Sequence, residues 1–478
     1  MTTNSAASPR PPRPAPQRRR TRSAPAVLAL AGLLGAAGCS GGAASDPPAA
    51  GAVTAVPAAL SPSASASSSG PSASASSGGA VVPITSDVTA RLDTAVQRVL
   101  REASIPGVIV SVSSPGGNYL KAFGVSDKVA GTPMVTGLNM RIGSETKTFT
   151  VTGLLKLVDQ GKAGLDDPIG TYVSDVPNGD TITLRQLAAM QSGLFSYTQD
   201  EEFVQTLEAD PDRVFTPQQL LSYAFKHPVN FAPGAKFEYS NTNTVLLGLV
   251  IEKLGGQPLG TFLKQQVFEP AGLGRTVFPV GSEFPQPHAR GYTNQTPNGA
   301  IADATDWDPS WAWAAGAIIS DQADLQKWAK VVATGTLLTP QTQAQRLKPQ
   351  PSTVPDTWYG LGIFYDHGWI GHNGSLPGYQ SVVVYLPSAQ TSLVVLLNTD
   401  VSFQGQEPST LFAQAVTEII SPANVYTLPA APAGSGSPSA TSSASSASPS
   451  KSPSPSSGSP SSKSPSPSPK SPSSNANA

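Results

Sequence analysis

The 478-residue chain holds a single cysteine, Cys39, so it can close no disulfide on itself and build no metal site from several thiolates. Histidine is nearly as scarce. His227, His288, His367 and His372 are scattered, and no two stand four apart as a helical zinc site requires. No metal and no cofactor are expected. The apolar run near the N-terminus, Ala24 to Ala37, is too short to span a bilayer comfortably. Net charge is also small, formally −1, but it hides an asymmetry. Arg10, Arg13, Arg18, Arg19, Arg20 and Arg22 crowd the N-terminus, and Lys451, Lys463 and Lys470 lie in the C-terminal tail, whereas Asp46 is the lone acid outside the middle of the chain. The middle is therefore acidic, which argues against nucleic acid as a partner, since a phosphate backbone wants a basic face.

What is present divides the chain into four stretches. Residues 1–39 read as an export signal: an arginine-rich start, an apolar stretch, then Ala36-Ala37-Gly38-Cys39. This ending resembles a bacterial lipobox, with Ala36 where leucine is usual. It makes Cys39 the expected lipidation site, with the outer face of the membrane as the partner of the acyl chains. The Arg18-Arg19-Arg20 run leaves a twin-arginine route open. Residues 40–82 are Ala, Ser, Gly and Pro, and residues 429–478 are rich in Ser and Pro; both read as tethers unable to build a core. Residues 83–428 carry nearly all the large apolar side chains and read as one large domain.

Inside that domain the pattern is mixed. Ser86 with Asp87 can cap a helix whose apolar face is Leu92, Ala95, Val96, Val99 and Leu100. Strands are expected at 108–113 and 119–125 around a Pro115-Gly116-Gly117-Asn118 turn. Helices are expected at 147–160, 183–190, 217–226, 243–254 and 321–333, strands again at 359–365, 379–386 and 393–398, and a last helix near 409–420. Strands at both ends with helices between predict an α+β fold: an antiparallel sheet flanked by N- and C-terminal helices, with a helical lobe inserted.

Three short stretches carry chemistry. In Gly143-Ser144-Glu145-Thr146-Lys147, Ser144 opens the predicted helix and Lys147 lies one turn on, on the same face. A serine hydroxyl needs a neighbouring base to act as nucleophile, and a lysine can serve if burial lowers its pKa. Alone this spacing is weak, since Ser448-Pro449-Ser450-Lys451 repeats it in the tail. In Tyr239-Ser240-Asn241, on a turn before an apolar helix, the tyrosine can take the serine proton as a phenolate or relay it to the leaving group. Asn241 can hold Lys147 and a substrate amide. In His372-Asn373-Gly374-Ser375, Gly374 lets a substrate backbone lie close, and the Ser375 N–H can join that of Ser144 as an oxyanion donor. His372 can position or polarise Tyr239. The nucleophile-elbow pattern G-x-S-x-G falls at Gly38 to Gly42, inside the export signal, and carries no weight.

Taken together in this order, the three stretches resemble the serine β-lactamase-related family, which includes class C β-lactamases, D-Ala-D-Ala carboxypeptidases and certain esterases; the handle S-x-x-K is a known mark of that group. Supporting phrases include Leu165-Asp166-Asp167-Pro168, Ser192-Gly193-Leu194 and Ala315-Gly316. The resemblance implies a β-lactamase/transpeptidase-like fold, acylation of Ser144, proton transfer through Lys147 and Tyr239, and hydrolysis of the acyl-enzyme by water. His372-Asn373-Gly374 stands where class C enzymes carry Lys-Thr-Gly, which leans toward the carboxypeptidase and esterase branches. The substrate-binding residues expected are Asn241, Asn373, Gly374 and Ser375. A D-alanyl-D-alanine carboxypeptidase-like activity is the first expectation, an esterase or weak β-lactamase the second, and a slowly deacylating penicillin-binding sensor the alternative of another class. Against the first stands one omission: the stretch 361–365 before the third element has no arginine to bind a terminal carboxylate.

Overall fold

The computed structural model describes residues 81–354 and 356–428. Cys39, the export signal, most of the stretch 40–82 and all of 429–478 lie outside the described residues.

The first helix, α1 (Ser86–Glu102), starts one residue earlier than the sequence suggests. Thr85 is still extended and its hydroxyl accepts from Val88 N, so it takes the capping role expected of Ser86 and Asp87. Val88, Leu92, Val96 and Val99 form its buried stripe. Strands β1 (Gly107–Ser114) and β2 (Gly117–Asp127) then pair as a hairpin whose register leaves only Pro115 and Gly116 to turn. A short β3 (Thr132–Pro133) follows at the edge.

The chain next leaves the sheet for more than two hundred residues. This insertion holds α2 (Thr146–Asp159), α3 (Asn241–Gly255), α4 (Gln322–Thr334) and several shorter helices. It also contains two small ladders, Met140–Arg141 with Ile319–Ser320 and Tyr292–Thr293 with Ala302–Asp303. Helices α2 and α3 are buried almost all round, which marks them as the centre of the lobe. Gly256 and Gly335, both left-handed, end α3 and α4.

The sheet resumes with β4 (Gln350–Pro351), β5 (Thr357–Tyr359), β6 (Phe364–Asp366), β7 (Trp369–Leu376), β8 (Tyr379–Leu386) and β9 (Thr391–Leu397), and the chain closes with α5 (Pro408–Ile420). The nine strands run in the order β3-β2-β1-β9-β8-β7-β6-β5-β4, each antiparallel to its neighbour. Both faces of the middle strands are covered, so every residue of β8 and β9 is buried and Val382–Leu386 and Leu393–Leu397 read as apolar runs. Alternate residues serve two cores. Val382, Val384, Leu393 and Val395 pack with α1 and α5, while Val383, Tyr385, Val394 and Leu396 pack with the lobe.

One expected strand is broken. Residues 359–365 are not continuous: β5 ends at Tyr359, Gly360 N donates to Ile363 O across a turn, and β6 begins at Phe364. Gly362 causes the break. It is left-handed (φ +68°), and a Cβ there would stand 2.7 Å from a methyl of Val151 on α2.

Candidate active site

The nucleophile turn is built before the helix that follows it. Ser144 lies in a 3₁₀ turn, Gly143–Glu145, rather than in α2 itself. Ile142 N donates to Ile318 O, and Ser381 Oγ on β8 donates to Ile142 O, so the turn is pinned to the lobe on one side and the sheet on the other. Two glycines permit the contact. Gly143 is left-handed (φ +55°), and a Cβ on it would lie 2.7 Å from Ser375 N; a Cβ on Gly374 would lie 1.9 Å from Ile142 O and 2.9 Å from Ser144 N. Neither side chain could exist without driving the turn off the strand. The result brings Ser144 and Ser375 together in the wall of one cleft, with Tyr197, Asn241, Trp311 and Ala315.

Lys147 is fully buried and donates from Nζ to Ser144 Oγ at 3.1 Å, Asn241 Oδ1 at 2.7 Å and the Ala315 carbonyl at 2.9 Å. Burial pushes its pKa well below that of a free lysine, because removing water penalises the ammonium. The neutral amine can keep its two bonds to Asn241 and Ala315 and take the Ser144 proton on its lone pair. Asn241 sits at the first turn of α3, where its own N–H donates to Ser196 Oγ. One hydrogen of its amide NH₂ goes to Thr198 Oγ1 at 3.1 Å, and the residue lines the cleft, where the second hydrogen is free to meet a substrate amide.

Tyr239 lies with its ring centroid 4.8 Å from Lys147 Nζ. Its hydroxyl is buried and makes no hydrogen bond of normal geometry, while Ser144 approaches it closely enough to act on its acidity. Burial nevertheless raises its pKa above the usual tyrosine value. Burial thus favours the phenol over the phenolate at Tyr239, as it favours the amine over the ammonium at Lys147.

His372 is buried on β7, but it does not hydrogen-bond Tyr239. Their ring centroids are 6.1 Å apart, and Nε2 faces Tyr359 Oη at 3.2 Å instead. The physical reason is the wall of aromatic rings formed by β5 and β6: Phe364 lies 4.7 Å from the His372 ring and stacks toward Tyr239. Nδ1 sits against the Asn373 carbonyl, which only an N–H can satisfy, so Nε2 is the acceptor and the Tyr359 hydroxyl donates. Burial, helped by the charge of Lys147, pushes the His372 pKa down to about 3. The imidazole is neutral and positions the aromatic wall.

Asn373 contributes its carbonyl to His372. Ser375 receives a long hydrogen bond, 3.4 Å, from Gln380 Nε2, and the same amide donates to Glu407. Glu407 is half-buried, and desolvation of its carboxyl, with the nearby Asp400, pushes its pKa up to about 8. Sequence reading missed Tyr359, Gln380, Glu407 and the Ala315 carbonyl. Ala315-Gly316 was legible as a phrase, but nothing in it announces a lysine acceptor.

A hydroxyl, a depressed amine and a phenol around a nucleophile turn, set between a sheet edge and a helical lobe, define a serine acyl-transfer hydrolase. The sequence matches the Beta-lactamase family over residues 92–416, and the chain belongs to that family. It is similar to PbpX of Bacillus subtilis (strain 168), a protein named for penicillin binding, at 25% identity over 63% of this chain and 72% of that one. It is also similar to protein flp of Staphylococcus aureus (strain MRSA252) at 28% identity, covering 66% of this chain but only 64% of flp. Among solved structures, a D-stereospecific amidohydrolase from Streptomyces sp. superposes with TM-score 0.61 at 30% identity, over 69% of this chain and 97% of that one. The D-amino acid amidase of Ochrobactrum anthropi SV3 in complex with D-phenylalanine gives TM-score 0.63 at 27% identity, over 70% and 99% of the two chains.

Proposed function

We propose that this protein is an exported, lipid-anchored hydrolase that cleaves amide bonds whose acyl side is a D-amino acid, through an acyl-enzyme on Ser144. One observation carries the mechanism: a lysine amine with no access to water stands 3.1 Å from the serine oxygen. Lys147 takes the Ser144 proton as the oxygen attacks the carbonyl. The N–H groups of Ser144 and Ser375 receive the developing oxyanion. Tyr239 passes the proton to the departing nitrogen, and water, activated by the same pair in reverse, releases the acid.

The D-configured acyl side is supported by the two solved amidohydrolases, whose whole chains are covered by the likeness. On the leaving-group side the strand offers neutral groups, His372 and Asn373, so a departing amine without a carboxylate suits it well. The D-alanyl-D-alanine carboxypeptidase reading is the second one, favoured by PbpX and by the same acyl-side chemistry. Export and lipidation at Cys39 rest on the lipobox-like end of the N-terminal signal.

The test has two parts. A fluorophosphonate probe is expected to add one adduct mass to the wild type, mapped to Ser144, and none to Ser144→Ala. Release of ammonia from D-phenylalanine amide is then compared with release of D-alanine from a D-Ala-D-Ala peptide. Preference for the peptide promotes the carboxypeptidase reading, and preference for a simple ester over both promotes the esterase. A penicillin adduct that persists for hours with no amide turnover means a sensor. No label on Ser144 of folded wild type overturns the mechanism.

A further inference from the structure

A second pocket opens beside the catalytic cleft and shares Trp311, Ala312 and Leu376 with it. Its lining includes a buried guanidinium. Arg141 is 1% exposed and three residues ahead of the nucleophile, on the short strand that pairs with Ile319–Ser320. One amino group, Nη2, donates to the carbonyls of Thr305 and Trp307, and the guanidinium rests 4.9 Å from the centre of the Phe284 ring. Nε and Nη1 are buried with no hydrogen-bond partner. A charged group with donors to spare in a pocket wall is poorly satisfied until an acceptor arrives. Asp308 also lines the pocket, but it makes no ion pair with Arg141; its Oδ1 accepts from Ser310 N. Its charge, with that of the exposed Asp306, acts on Arg141 only across space.

The pocket lies on a definite side of the reacting bond. The leaving group is protonated by Tyr239, which sits near His372, before Ser375 on β7; the pocket lies past Ser375, at Leu376 and Pro377. A substrate lying extended along β7 as an added strand runs its leaving-group end toward His372 and its acyl end toward Leu376. The pocket therefore receives the acyl portion, and Arg141 is placed wrongly for the terminal carboxylate of a departing D-alanine.

We infer that Arg141 anchors a carboxylate carried on the acyl side of the substrate, so that the preferred acyl donors are D-residues bearing an anionic group several bonds from the scissile carbonyl. This rests on the amide-hydrolase reading above. It adds a specificity determinant on the short strand that leads into the nucleophile turn.

The experiment compares kcat/KM for N-succinyl- and N-glutaryl-D-alanine p-nitroanilide with that for the neutral N-butyryl compound. Wild type is expected to prefer at least one anionic donor by about tenfold or more, the scale of a charge-assisted hydrogen bond. Arg141→Gln is expected to abolish that ratio. Because Arg141→Gln can fail to fold, Asp308→Asn is the second variant: asparagine retains an oxygen for Ser310 N, and loss of the opposing charge is expected to raise the ratio. Wild type that cleaves all three donors without anionic preference, or an Asp308→Asn ratio that does not rise, overturns the inference while leaving the reaction intact. Wild type that cleaves none of them overturns the amide-hydrolase reading and the inference with it.

Discussion

Lys147 concentrates the chemistry of the site in one protonation state. Its burial favours the amine over the ammonium; the ammonium donates to all three neighbours, and the amine donates to Asn241 and Ala315 while accepting from the Ser144 hydroxyl, so the nitrogen stays against Ser144 in either state. Activity should therefore be present at high pH and fall as pH drops through the depressed lysine pKa, since protonation removes the base. His372 cannot supply that limb, because its pKa near 3 leaves it neutral throughout. A pH profile of kcat/KM for His372→Gln is expected to keep the acid limb of the wild type at a lower rate. A limb that moves with the histidine would show that the imidazole and not the amine is the titrating base. Ser144 and Lys147 could be picked out from sequence by their one-turn spacing, Tyr239 and Asn241 only by the order of the three motifs. The true partner of His372 could not, since its bond to Tyr359 depends on how the chain turns between β5 and β6.

At the scale of elements, the site is a contact between a turn and a strand. Gly374→Ala puts a methyl into the space held by the Ile142 carbonyl, so the nucleophile turn must move away from β7. Acylation is expected to fall by about a hundredfold or more, the usual cost of misplacing an oxyanion donor, with far-UV circular dichroism unchanged. An active Gly374→Ala enzyme would mean the oxyanion is held elsewhere. The strand is anchored from behind by Gln380 and Glu407 at the start of α5. The Glu407 carboxyl, raised to about 8, keeps a proton that the unfolded chain releases near 4.5. Its contribution to stability is complete below pH 4.5 and is lost as pH rises through about 8. Glu407→Gln mimics the protonated acid, so its melting temperature should match wild type near pH 5 and exceed it above pH 8. Equal pH slopes for the two proteins would show that the carboxyl is not protonated in the fold. Helix positions were readable to within a few residues from apolar spacing and caps. The break at Gly360–Ile363 was not, because Gly362 answers to Val151 on a distant helix.

For the molecule as a whole, the two cores divide labour. The core behind the sheet, made by α1, α5 and the outward residues of β1, β8 and β9, touches no part of the cleft. Leu92 is fully buried there. Leu92→Ala should cost about 2–5 kcal/mol of stability, read by urea unfolding, and leave kcat per folded molecule unaltered. A loss of kcat at full folding would couple this core to the site. The acidic middle of the chain, the lone cysteine in a lipobox-like context and the two Ser-rich ends were properties of composition, and they framed the expected class and location before any fold was known.

The sequence by itself determined the α+β order of elements and singled out Ser144 and Lys147 as the candidate nucleophile and base of a serine hydrolase, because apolar spacing is local and three chemical motifs keep a fixed order along the chain. Tertiary structure decided the rest: a carbonyl at Ala315 that holds the lysine, a tyrosine at 359 that fixes the imidazole, and a guanidinium at 141 beside the cleft. Backbone oxygens carry no residue signature, and a buried charge declares its use only once the elements that bury it have packed.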